Sequence, residues 1–224
     1  MNIEQICSLL ESLTLSDENR FHLLRHFDSV PEDYSLAIAN RLDKPPADIR
    51  KQLSFSGSKF RASFAVHPDL LWQRISTDIS ETALHPPSDN AQVRTIFTPR
   101  SDSEFVFHLQ YSPTVYPDGI GTDGVVALTE LKATDRSTVT REVRGEEDKI
   151  EVPTVYLSRL PATWKVQVVV RKTNQELIVL TIFPGTYAPP LPDPAAQTAS
   201  DLQVSYEFWR THALVRKPSH TSGS

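Results

Sequence analysis

Residues 164–185, WKVQVVVRKTNQELIVLTIFPG, constrain the fold more than any other part of the chain. They read as two strands joined by a polar turn at Thr173-Asn174-Gln175. Trp164, Val166, Val168 and Val170 alternate with Lys165, Gln167, Val169 and Arg171, the period of a strand with two different faces. The return strand, 177–183, is almost wholly apolar, which predicts a central place in a sheet with cover on both sides. It carries Thr181 near its end and stops at Phe183-Pro184-Gly185. Lys165, Arg171 and Thr181 therefore belong to one sheet region. Whether they share a face depends on a register that the sequence leaves open.

The period is different at the start of the chain. Ile3, Ile6, Leu9, Leu10 and Leu13 fall at helical spacing. Ser16 is a good N-cap before Asp17 and Glu18. Ser29 is expected to cap a third helix with Pro31 in its first turn, and a fourth is expected over 46–53. Residues 1–53 thus read as a helical module, and 54–58, with FSGS at its core, as a linker. From Lys59 onward, Phe60, Ala62, Phe64 and Val66 alternate as in a strand. His67-Pro68-Asp69 opens a helix to about 79. Strands are expected at 93–97, 104–111, 125–128, 137–143 and 149–157. Residues 184–194 carry five prolines, which rules out a helix or central strand and predicts an extended course over the surface. Ser200 is expected to cap a last helix to Thr211, a short strand follows at 213–215, and 218–224 reads as a disordered tail. Helices first and strands later give an α+β fold: an N-terminal helical module, then a mainly antiparallel sheet domain with flanking helices over 59–217.

Composition narrows the setting. At 39% hydrophobic and 23% charged residues, the 224-residue chain can bury a sizeable core. Cys7 is the only cysteine, so a disulfide framework and Cys-based zinc sites are excluded, and a reducing, cytoplasmic location is expected. MNIEQICSLLESL has no basic region and no long apolar core, so no signal peptide is read there. The net charge of −5 is uneven. Residues 1–53 hold six Lys and Arg against nine Asp and Glu, and residues 54–148 hold nine against fourteen. Residues 149–224 hold eight against five, so the strand-pair segment is the basic one, which suits an anionic ligand.

No P-loop, GxGxxG or GxSxG motif is present, since Gly119, Gly121 and Gly124 have the wrong spacing. No metal site and no cofactor are expected. His22 and His26 stand at i and i+4, but HLLRH lacks the Glu of a zincin helix and reads as a solvated face. His108 lies among aromatics in FVFHLQY, where it reads as a structural histidine or a catalyst. His212 ends the last helix, where it terminates the helix as a cation or serves as a general acid or base beside a basic sheet. A ribonuclease that needs no metal uses a base for the ribose 2′-hydroxyl, an acid for the leaving oxygen and donors for the phosphate. Lys165, Arg171, Thr181, Tyr187 and His212 can supply that set.

Three pieces carry a resemblance: Leu160-Pro161-Ala162-Thr163-Trp164, the LTIFPG ending of the return strand, and Phe208-Trp209-Arg210-Thr211-His212. Over about residues 100–216 the chain resembles the barnase, EndoU, colicin and RelE-like ribonuclease superfamily, which includes many bacterial toxin domains. The resemblance implies a helix-then-antiparallel-sheet core. It implies that Thr181 contacts phosphate, that Lys165 or Arg171 binds it, and that His212 or His108 does acid–base work; Tyr187, Arg210 and His108 are the candidates for binding the substrate. A cognate protein inhibitor is the partner it implies. The chain departs from those commonly basic ribonucleases in its acidic balance. The competing reading is a non-enzymatic interaction protein of immunity or antitoxin type, binding a protein partner through its acidic helical module.

Overall fold

The computed structural model describes residues 2–54, 57–85, 91–136, 140–144, 150–174, 176–194 and 197–217. The acidic run at 146–148, Gln175 of the hairpin turn, Phe55 and Ser56 of the expected linker, and the expected tail at 218–224 lie outside them. In chain order come α1 (Ile3–Ser12), α2 (Asp17–Leu23), α3 (Glu32–Arg41), α4 (Pro46–Ser54), β1 (Lys59–Phe60) and α5 (Pro68–Thr82). Then follow β2 (Val93–Pro99), β3 (Glu104–Tyr111), β4 (Gly121–Thr122), β5 (Val125–Ala127), α6 (Ala133–Arg136), β6 (Thr140–Arg144) and β7 (Ile150–Tyr156). The chain ends with β8 (Ala162–Thr163), β9 (Lys165–Thr173), β10 (Glu176–Pro184), α7 (Ala199–Thr211) and β11 (His212–Arg216). The class is α+β, with helices first and mainly antiparallel sheets after. No helix among the described residues is long and apolar enough to cross a membrane.

The described chain divides into two compact units. One is Met1–Thr122 with Ala162–Gly185, the other Asp123–Pro161 with Thr186–Ser224. In the first unit, an antiparallel sheet runs in the order β10-β9-β3-β2, and a smaller one in the order β1-β4-β8. Local chemistry starts the helices. Asn2 and Gln5 form a capping box on α1, Ser16 caps α2, and His67 accepts from Leu70 N–H at the start of α5. Ser29 does not cap α3, whose N-cap is Pro31 without a side-chain bond.

Cross-strand pairs assign the two faces of the larger sheet, because directly opposed residues point to the same side. Phe105, Phe107 and Leu109 of β3 oppose Val170, Val168 and Val166 of β9. These residues share one hydrophobic core with Val179 and Ile182 of β10, Ile6 and Leu10 of α1, Leu23 of α2, and Leu71, Ile75 and Ile79 of α5. The helices of residues 1–53 and the sheet therefore belong to one unit, and the expected linker at 54–58 falls inside it. The boundary lies instead at Thr122/Asp123, Pro161/Ala162 and Gly185/Thr186. The physical reason is that α1 and α2 bury their apolar stripes in the same core as β9 and β10. Leu24, Ile38, Ala39 and Ile49 form a small satellite cluster that holds α3 and α4.

Two strand expectations are corrected as well. The apolar strand β10 pairs with β9 as expected but lies at the edge of its sheet, not at the centre. Its second face is not fully covered, since Ile178 remains 38% exposed. The edge is managed in other ways: Asn19 Nδ2 donates to the Val179 carbonyl at 2.7 Å, and the register shifts between Val179 and Thr181 in a bulge. The alternation from Phe60 to Val66 is likewise not a strand beyond Phe60. The chain turns, with Phe64 and Ala65 N–H donating to the Arg61 carbonyl, and Phe64 stacks on Phe60.

In the second unit the sheet order is β5-β11-β7-β6. β11 runs antiparallel to β5 and parallel to β7. Val126, Leu131, Val155, Ala213 and Val215 form its core. Thr198 caps α7, two residues before the expected Ser200. The proline-rich segment is tied to that helix: Ser205 Oγ and Trp209 Nε1 both donate to the Pro190 carbonyl, at 2.9 and 3.3 Å.

Candidate functional site

The register settles which predicted residues of the first unit share a face. Lys165, Gln167, Val169 and Arg171 of β9 oppose Gln110, His108, Val106 and Glu104 of β3. His108 and Gln110 in turn oppose Ile96 and Arg94 of β2. All of these point away from the helix-packed core. Thr181 joins them because of the bulge. Without Leu180 as an extra residue it would oppose Val168 on the core side, but with the bulge it opposes Val169. Lys165, Arg171, Thr181 and His108 therefore lie on one face.

They do not form one cluster. Lys165 and Arg171 are six residues apart on β9, about 20 Å of extended chain. Arg171 Nη2 pairs with Glu104 Oε2 at 3.0 Å, so its charge is balanced locally. Thr181 lies between the two ends, in the row of Val169 and Val106, both buried. The open part of the face is the other end. There Arg94, Gln110 and Lys165, each exposed, form one row across three strands. Strand spacing puts the outer two backbones about 10 Å apart.

The next row holds the half-buried His108 between Gln167 and Ile96, which is 65% exposed. The orientation of His108 follows from a chain of two hydrogen bonds. Gln167, 4% exposed, donates its Nε2–H to the Gly185 carbonyl at 2.7 Å. Its Oε1 therefore faces His108 Nδ1, at 2.5 Å. An amide oxygen only accepts, so Nδ1 carries the proton and the ring lone pair sits on Nε2. This is how a second residue fixes the tautomer of a histidine base. Arg94, Gln110 and Gln167 were not singled out from the sequence. The legible signal was a polar residue inside the Val166–Val170 run.

His212, Arg210 and Tyr187 belong to the second unit. His212 heads β11 directly after α7. Its ring stacks on Phe208 with centroids 4.0 Å apart, and its Nδ1 lies 3.0 Å from both the Phe208 carbonyl and Thr211 Oγ1. The ring thus satisfies a carbonyl at the helix end, as its position predicts. Arg210 is exposed on α7, and Tyr187 is half-buried just after Gly185. Nearby, Asp123 is buried and accepts from Thr186 N–H and Oγ1 and from Val125 N–H.

His26 is not on a solvated face. Its ring packs 5.9 Å from Phe183, and its Nδ1 lies 3.0 Å from the Ser58 carbonyl. Burial pushes its pKa down to about 3, with His22, Arg25 and Lys59 pushing the same way. Lys59 is buried too and donates to the carbonyls of Phe27 and Leu53, at 2.7 and 2.8 Å. Among the described residues no group of three or more His, Cys, Asp or Glu is placed to hold a metal ion. No family model matches this chain, and no curated protein or solved structure matches it.

Proposed function

We propose that the protein is a metal-independent endoribonuclease that works by acid–base chemistry on the polar face of its larger sheet. The observation that carries this reading is the His108–Gln167–Gly185 relay, set one row from Arg94, Gln110 and Lys165. His108 Nε2 takes the ribose 2′-hydroxyl proton. The 2′-oxygen bonds to phosphorus, the bond to the 5′-oxygen breaks, and that oxygen leaves with a proton from solvent. The product is a 2′,3′-cyclic phosphate. Lys165 and Arg94 supply positive charge to the phosphate, and Gln110 between them supplies a neutral donor. Thr181, in the buried row of Val106 and Val169, and Arg171, paired with Glu104 at the far end, are left outside this phosphate site. The base is assigned to His108 rather than His212 because the cationic row lies beside it. Cys7, a buried thiol whose pKa burial raises, suits a reducing compartment such as the cytoplasm.

The test is incubation with end-labelled single-stranded RNA in the presence of EDTA. The expected result is fragments with cyclic phosphate ends, and no cleavage of the all-2′-deoxy strand. His108→Ala should lower the rate roughly 100- to 10,000-fold, with a drop in melting temperature no larger than that of Gln167→Leu, which breaks both bonds of the relay. His212→Ala is the matched comparison and should retain activity. Intact RNA after prolonged incubation with wild-type protein would refute the assignment and leave the non-enzymatic, partner-binding reading.

A further inference from the structure

The first unit contains a concave site apart from the polar sheet face. Helix α5 presents Asp78 and Glu81 three residues apart, on neighbouring positions of one side. A cleft of about 280 Å³ opens there, lined by Asp78, Glu81, Thr82, Gln92, Tyr111 and Tyr116 among others. A larger cleft of about 420 Å³ adjoins it at Asp78 and has an apolar wall that includes Phe64, Val66 and Leu70. Together they fall in the size range of small-molecule sites, roughly 300–1,000 Å³.

The chemistry of the smaller cleft is one-sided. Two carboxylates and two tyrosine rings line it, and among the described residues no Lys or Arg does. Tyr111, 3% exposed, donates its hydroxyl to Asp78 Oδ2, which fixes that carboxyl at the floor. Tyr111 and Tyr116 meet edge to face at 5.6 Å, and both also meet Phe64 edge to face. The aromatic wall is therefore rigid. Arg74, the nearest cation on α5, lines only the larger cleft. It is engaged there, with Nη1 donating to the Phe64 carbonyl at 2.8 Å and its guanidinium 4.8 Å from the Phe64 ring centroid. Burial pushes the Asp78 carboxyl up, the Tyr111 hydroxyl and the Arg74 charge offset part of that, and the Glu81 charge adds to it, so a cation placed between Asp78 and Glu81 relieves their mutual repulsion.

We infer that this cleft binds a small organic amine, its ammonium held between Asp78 and Glu81 and its apolar part laid against the Tyr111 and Tyr116 rings. Charge-assisted hydrogen bonds to two carboxylates recognise the ammonium, and the tyrosine rings give its apolar part a surface to pack on. The site is independent of the proposed nuclease chemistry.

Calorimetric titration of the full chain with benzylamine tests it, with benzyl alcohol as the neutral isostere. The expected result is saturable binding of benzylamine at one site and none of the alcohol. Glu81→Gln, at an exposed position, should weaken binding roughly tenfold or more without affecting folding. Asp78→Asn keeps an acceptor for Tyr111 and should do the same. Absence of saturable benzylamine binding in the millimolar range, equal binding of the alcohol, or full affinity in Glu81→Gln each overturns the inference.

Discussion

His108 and Gln167 are cross-strand partners on β3 and β9, with Nδ1 of the one 2.5 Å from Oε1 of the other. Gln167 can present only its oxygen because its amide nitrogen is committed to the Gly185 carbonyl. One glutamine thereby ties a strand end to the tautomer of a histidine on the next strand.

Gln167→Leu breaks both bonds at a buried position. It leaves the Gly185 carbonyl without that donor, at a cost of about 1–3 kcal/mol. Chemical denaturation should show a lower midpoint with an unchanged slope. Under the proposed function the rate should also fall with little change in KM, since the residue positions His108 and does not touch RNA. A variant as stable as wild type would show that the relay contributes nothing.

Lys165→Ala should weaken RNA binding across sequences and lower the slope of log affinity against log salt by about 0.7, the effect of one lost contact to a single-stranded phosphate. Arg171→Ala should change that slope less, because Arg171 is already paired with Glu104. Fluorescence anisotropy over a salt series measures both. Equal slopes for the two variants would remove the distinction between the ends of the sheet face.

His26 makes folding sensitive to acid. Its folded pKa is about 3, below the ordinary value of about 6.5. Between those values the unfolded chain binds the proton and the folded protein does not, so stability rises with pH. The contribution is fully present above about pH 6.5 and is lost as pH falls toward 3, at up to about 1.4 kcal/mol per pH unit. Urea unfolding of wild type and His26→Gln from pH 7 to pH 4 should give a stability difference that shrinks or reverses on acidification. A difference independent of pH would contradict this.

Val179 and Ile178 are neighbours on β10 with opposite surroundings, 1% and 38% exposed. Val179→Asp places an unpaired charge in the shared core and should cost several kcal/mol, on the order of 3–5. Ile178→Asp should cost much less, because its side chain already meets water. Thermal melts of the two variants compare them directly, and similar losses would mean that the two faces of β10 are misassigned.

Periodicity and capping, which act within a few residues, were enough to place most elements from the sequence alone. Ser16 and His67 start their helices, 104–111 and the Lys165 strand form strands, and Pro189, Pro190, Pro192 and Pro194 lie outside regular structure, while Pro184 is the last residue of the edge strand β10. The α+β class follows from that order. What depends on distant partners was not legible. The apolar run of β10 looked central, yet helix α2 and a bulge protect it as an edge. Which face Thr181 occupies hangs on one extra residue, Leu180, because a strand's side chains alternate and a one-residue shift reverses them. The unit boundary and the Asp78–Tyr111 pair, 33 residues apart in sequence, likewise arise only when helix and sheet close on one core. Local propensity determined the elements. Register and packing, which couple residues far apart in the chain, decided which of their side chains meet.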